Sequence, residues 1–285
     1  MQKIGIMQGR LLPPEAGGFQ CFPRQNWETE FSFAASAGLD AIEWLYDLWG
    51  EDANPISSDH GIHRIRSLSE QHGIAVSSLC ADYFKERPLV GIDSGEKRKR
   101  IEHLIWLISR CQRLNITRIV LPLLDNSSLR SESEITELVT TLRDILPILS
   151  ACHVELHLES SLRPAAFAAL LDQLPFPEVR VLYDIGNSAS LGYDFHKEFS
   201  AYGDRIGSVH VKDRVLGGGS VPLGKGSGDI PGVLAGLSKL GYSGDFILEA
   251  ARGESGKEVE LGRHNRRIIQ SCLETTALET GGSRR

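Results

Sequence analysis

Short apolar runs of five to seven residues alternate with longer stretches in which apolar residues recur every three or four positions, from one end of the chain to the other. Eight such runs lie at residues 3–7, 41–46, 75–80, 118–123, 154–159, 179–185, 206–212 and 245–250. Their spacing of roughly 25–40 residues is what one strand, a loop, a helix and a second loop require. Several runs are almost wholly apolar, as in Ile119-Val120-Leu121, which suits parallel strands covered on both faces. Pro122 donates no ladder hydrogen bond and predicts the exit end of its strand. Between the runs, Ile101, Leu104, Ile105, Ile108 and Cys111 share one face of a predicted helix over 95–114. Ile135, Leu138, Val139, Leu142 and Ile145 do the same over 131–150, behind a capping box of Ser131 and Glu134. A further helix over 231–240 starts after Asp229 as N-cap and stops at Gly241. Gly38 and Gly73 read as C-caps feeding the next strand.

Eightfold alternation without a break in composition predicts a single α/β domain, a (β/α)8 TIM barrel over residues 1–278, followed by a flexible tail over 279–285. A doubly wound sheet would bring a glycine-rich phosphate loop behind the first strand, and Met7-Gln8-Gly9-Arg10-Leu11 has no GxGxxG. A length of 285 residues suits one barrel, and an apolar fraction of 41% provides for its core.

The net charge of −6 lacks the basic excess of a nucleic-acid binder. Cys21, Cys80, Cys111, Cys152 and Cys272 are odd in number and form no CxxC pair, so they read as reduced thiols. The N-terminus has no signal-peptide apolar region, and no run approaches 18 apolar residues. The expectation is a cytoplasmic protein with neither a membrane nor a nucleic-acid partner.

In a parallel barrel, chemistry sits where the strands end. The last four runs each deliver a metal-type ligand there: Glu159, Asp184, His210 and Glu249. Taken singly, each has a plain structural reading: a loop-edge carboxylate, a turn residue before Gly186-Asn187, a core histidine, a partner for Arg252. Together, three carboxylates in one barrel mouth would repel one another unless a cation sat among them. An oxygen-rich set with one nitrogen suits one divalent cation with open positions, Mn2+ first, with Mg2+, Co2+ or Zn2+ as alternatives, rather than a closed thiolate zinc site.

Three blocks carry a specific likeness: Asp184-Ile185-Gly186-Asn187, Val209-His210-Val211-Lys212-Asp213, and Pro222-Leu223-Gly224-Lys225-Gly226-Ser227-Gly228-Asp229, followed by Leu248-Glu249. In this order, over about 155–250, they resemble the xylose isomerase-like TIM-barrel superfamily, and within it the sugar phosphate isomerases and epimerases, above all L-xylulose 5-phosphate 3-epimerase-like members. The resemblance implies that Glu159, Asp184, His210 and Glu249 hold the metal. It also implies a sugar or sugar phosphate as substrate and a homodimer or homotetramer. The first half of the chain resembles the family in its βα rhythm and in Ser78-Leu79-Cys80. Asn187 stands where the endonuclease IV-like and ketohexose 3-epimerase branches carry histidine, which disfavours a nuclease and a free-ketose enzyme. An inosose dehydratase-like lyase on the same metal site is the main alternative, ahead of a non-catalytic sugar-binding barrel.

Isomerisation and epimerisation both remove a proton next to a carbonyl, and the expected acid–base pair is Glu159 and Glu249, approaching the substrate from opposite sides. Glu43, Asn187, Lys212, Arg10 and Arg252 are candidate substrate contacts. Lys85 and Arg87 lie where a phosphate contact could come from, and the backbone of Gly224, Gly226 and Gly228 could cradle the phosphate itself. A rim salt bridge with Asp213 is the plain reading of Lys212. His157 and Glu155 read as inner-barrel packing, and His60, His63, His72 and His103 receive no catalytic role.

Overall fold

All eight runs become staves of one closed parallel barrel in the computed structural model, which describes residues 2–15 and 19–282. The staves are β1 (Ile4–Met7), β2 (Ala41–Leu45), β3 (Ala75–Cys80), β4 (Arg118–Leu123), β5 (Glu155–Ser160), β6 (Val179–Asp184), β7 (Ile206–Val211) and β10 (Phe246–Leu248). Each pairs with its neighbours in sequence order, and β1 closes the ring by pairing with both β2 and β10. Two short strands, β8 (Asp213–Arg214) and β9 (Ser220–Val221), form an antiparallel hairpin beyond the end of β7.

Around the ring run α1 (Thr29–Ala37), α2 (Asp59–His72), α3 (Tyr83–Glu86), α4 (Ser94–Leu114), α5 (Glu132–Cys152), α6 (Pro164–Asp172), α7 (Ile185–Ser190), α8 (Phe195–Tyr202), α9 (Ile230–Lys239) and α10 (Glu258–Gly282). The main core lies between strands and helices and includes Phe31, Trp44, Leu107, Leu142 and Leu234. A separate apolar cluster gathers Met7, Leu45, Cys80, Val120, Leu182 and Ile247 from six different strands. Among the described residues, no helix is long and apolar enough to cross a membrane.

Local sequence explains most boundaries. Asp229 caps α9 by accepting from Gly232 N at 3.0 Å. Gly38 and Gly73 adopt the left-handed conformation that ends α1 and α2. The Ser131 box is only half made. Its hydroxyl accepts from Glu134 N, but the Glu134 carboxylate takes Arg130 N at 2.6 Å instead of reaching back to the cap. The last stave is shorter than its apolar run: β10 ends at Leu248, so Glu249 and Ala250 leave the regular strand at the mouth. The last helix runs on to Gly282, and residues 283–285 of the expected tail lie outside the described residues.

Candidate active site

β5, β6 and β7 bring Glu159, Asp184 and His210 to the C-terminal rim, all buried, with one ligand atom of each within 4.8 Å of the others. Asp184 ends β6 and caps α7, its Oδ1 accepting from Asn187 N at 2.8 Å. One carboxylate oxygen is thus spent on the turn and Oδ2 is left over. Among the described residues, Asp184 Oδ2 and His210 Nδ1 are buried without an aligned hydrogen-bond partner. Lys212 Nζ stands 2.8 Å from the first and Glu249 Oε2 3.0 Å from the second, close enough for charge pairing but off the hydrogen-bond direction. Behind the imidazole, Nε2 meets Glu43 Oε1 at 2.6 Å, and Glu43 Oε2 accepts from Ser78 Oγ at 2.6 Å.

The electrostatics follow from this crowding. Burial first, and then the Asp184 charge, push the Glu159 carboxyl up to about 8. Burial would also raise Glu249, but Lys212, His210 and Arg10 outweigh it and hold that carboxylate well below its ordinary range. Burial would lower His210, yet Glu43 and Glu249 raise it far above its ordinary value. Lys212 is likewise held charged against burial by Asp184, Glu249 and Glu159. Asp184 Oδ2 and His210 Nδ1, both short of an aligned hydrogen bond, gather with the Glu159 carboxylate. A divalent cation fits that donor set, because it would satisfy both atoms and the surplus negative charge at once. The Glu43–His210 contact is the carboxylate–histidine support such ligands usually have.

The other predicted residues fall as follows. Glu249 lies against His210, Lys212 and Arg10, its Oε1 3.1 Å from Lys212 Nζ and 3.5 Å from Arg10 Nη2. Lys212 pairs with Asp184 and Glu249 and not with Asp213. Asn187 donates from Nδ2 to Glu159 Oε1 at 2.6 Å. Arg10 donates to Ala250 O and to Gln20 Oε1, and its guanidinium lies over the Phe19 ring. Arg252 spends its guanidinium on the carbonyls of Phe19, Leu12 and Gly9, and with Arg10 it borders a separate cavity of about 240 Å³ beside α10. Lys85 pairs with Asp82 at 3.3 Å, and Arg87 is exposed. The glycine turn does not hold a phosphate here. Gly224, Gly226 and Gly228 all donate to the Asp213 carboxylate at 2.8 to 3.0 Å, so the cradle is filled from within the chain. His157 bonds Ser208 Oγ and Glu155 away from this cluster, and His103 stacks on Tyr83.

Sequence reading missed Arg214, Gln20 and Asp82, which line the same cavity of about 440 Å³ as Glu159, His210, Lys212 and Glu249. For Arg214 a signal was present: His210, Lys212 and Arg214 alternate along one stretch and so share a side.

Comparison with known proteins agrees with this architecture. The chain is 25% identical over 241 residues to an Escherichia coli protein named "Putative L-ribulose-5-phosphate 3-epimerase SgbU", covering 79% of this chain and 83% of that one. Among solved structures, an L-ribulose 3-epimerase superposes with a TM-score of 0.77 at 19% identity, covering 100% of this chain and 99% of the other. A xylose isomerase-like TIM barrel protein from Mycobacterium smegmatis, in complex with magnesium, gives 0.72 at 17% identity, with 97% and 98% covered. At these identities the two structural likenesses are likenesses of fold. The family model for the xylose isomerase-like TIM barrel matches residues 31–272, and this chain belongs to that family.

Proposed function

We propose that the chain is a divalent-metal-dependent isomerase or epimerase that acts on a sugar or sugar phosphate through an enediolate. The observation that carries this reading is the convergence of Glu159, Asp184 and His210 at the barrel mouth, with Glu249 against the imidazole. The name of the Escherichia coli relative supports it. A divalent cation held by Glu159, Asp184, His210 and Glu249, Mn2+ first, would supply Lewis-acid polarisation of a carbonyl and its neighbouring hydroxyl.

The chain's own residues would handle the proton. Glu159 would take the proton next to the carbonyl and return it. Glu249 would act from the other side, since β10 and β5 stand three places apart in the ring. Asn187 fixes the Glu159 carboxylate, and Lys212 balances the charge of Asp184 and Glu249. The five unpaired thiols fit a reducing compartment such as the cytoplasm.

The test is incubation of Mn2+-loaded protein with a panel of ketoses and ketose phosphates in heavy water, read by NMR. The wild type should place deuterium next to the carbonyl, and Glu159→Gln and Glu249→Gln should abolish the exchange. Normal exchange in both variants, or no binding of any of the four metals, would overturn the proposal.

A further inference from the structure

Among the described residues, three lysine and arginine side chains line the cavity at the candidate site: Lys85, Lys212 and Arg214. Two of them already have their counter-charge. Lys212 sits 2.8 Å from Asp184 and 3.1 Å from Glu249, and Lys85 sits 3.3 Å from Asp82. Arg214 differs, because among the described residues no carboxylate lies within ion-pair distance of it. Its Nε and Nη2 both donate to Gly218 O, at 3.0 and 2.8 Å, and its Nη1 donates to Asn187 Oδ1 at 2.8 Å. All these acceptors are neutral. A guanidinium has five N–H groups, so these contacts leave two for a ligand. A partly buried planar cation with neutral partners and spare donors is built to receive an anion with several oxygens.

The position is fixed as well as charged. Arg214 pairs with Ser220 across the β8–β9 hairpin, and Ser220 lines the same cavity. The neighbouring Asp213, held by three glycine N–H groups, anchors the base of that hairpin. Asn187 links Arg214 to the chemistry: its Oδ1 accepts from Arg214 while its Nδ2 donates to Glu159. Arg214 is therefore one side-chain amide away from the carboxylate proposed as base.

Building on the proposed reaction, we propose that Arg214 is the residue that selects a phosphoryl-bearing substrate. It would grip the phosphate of a ketose phosphate at the hairpin end of the cavity while the carbonyl end meets Glu159 and Glu249. Its hold on Asn187 keeps the amide turned toward Glu159.

The experiment compares wild type, Arg214→Met and Arg214→Lys, each checked for folding by its thermal transition. Inorganic phosphate binding is measured by calorimetry on the full chain with and without Mg2+. Steady-state kinetics are measured with a ketopentose 5-phosphate and its unphosphorylated parent. Arg214→Met should weaken phosphate binding about 10-fold or more and raise KM for the ester at least about 3-fold more than KM for the free ketose, while the lost hold on Asn187 lowers kcat for both. Arg214→Lys should fall between, because a lysine offers a point charge in place of a fork, and it decides the matter if the methionine variant does not fold. Unchanged phosphate binding, or equal KM changes for ester and free ketose, would overturn the assignment. If no ketose turns over, the proposed reaction fails, and the calorimetry still decides the role of Arg214.

Discussion

Glu43 Oε1 stands 2.6 Å from His210 Nε2, so the nitrogen turned to the barrel mouth is Nδ1, 3.0 Å from Glu249 Oε2 and on the side of Asp184 and Glu159. The ring has one orientation because the pair is buried and Ser78 holds the other Glu43 oxygen. Glu43→Gln keeps the size and removes the charge that steadies the ring. Mn2+ affinity, read by calorimetry, should fall about 10- to 100-fold, the usual cost of losing such support. Unaltered affinity would mean that His210 is not a ligand.

Lys212 occupies the space between Asp184 and Glu249 that a bound cation would also draw upon. Lys212→Met removes a competing positive charge from a buried group of carboxylates. Metal-free protein should melt at a lower temperature than wild type, because the carboxylates lose their partner. Saturating Mn2+ should then raise the transition by more than it does in wild type. Equal metal-induced shifts would show that the ammonium and the metal do not share these oxygens.

Glu30 is buried on α1, with Oε1 accepting from Gly9 N at 2.7 Å and Oε2 without a hydrogen-bond partner among the described residues. Burial pushes its carboxyl up to about 8 from the ordinary 4.5, against the pull of the Gly9 and Leu11 N–H groups. Across that window the folded state keeps a proton that the unfolded chain has released. This contribution to stability is therefore fully present below 4.5 and is lost as pH rises through about 8. Glu30→Gln cannot ionise, so its melting temperature should decline less than that of wild type between about pH 5 and pH 9. Parallel pH curves for the two proteins would contradict the raised value.

Asp213 is fully buried and accepts three backbone N–H groups from the turn at Gly224, Gly226 and Gly228. Asp213→Ala orphans all three donors, some of which water can reach, so the expected loss is about 3 kcal/mol in urea unfolding. The same variant should lower turnover, because Arg214 follows it directly in the hairpin. Gly226→Ala should do comparable harm, since a Cβ there would lie 2.6 Å from Arg214 O.

The eight strands and the main helices were legible because they rest on local periodicity. An apolar run bounded by turn residues has few alternatives, and repetition at one spacing fixes the topology. The three residues that converge were legible for the same reason: Glu159, Asp184 and His210 stand at the ends of successive strands, and a parallel barrel sends strand ends to one face. What the chain does with its charged side chains was not legible. Arg252 finds its three carbonyl partners 233 to 243 residues away, and Glu43 meets His210 across 167. Glycines spaced to bind a phosphate were filled instead by Asp213, and Lys212 turned from its sequence neighbour Asp213 to Asp184 and Glu249. Periodicity specifies which face a residue occupies. The partner it meets there depends on rotamers, loop paths and competing charges that come together only when the ring has closed.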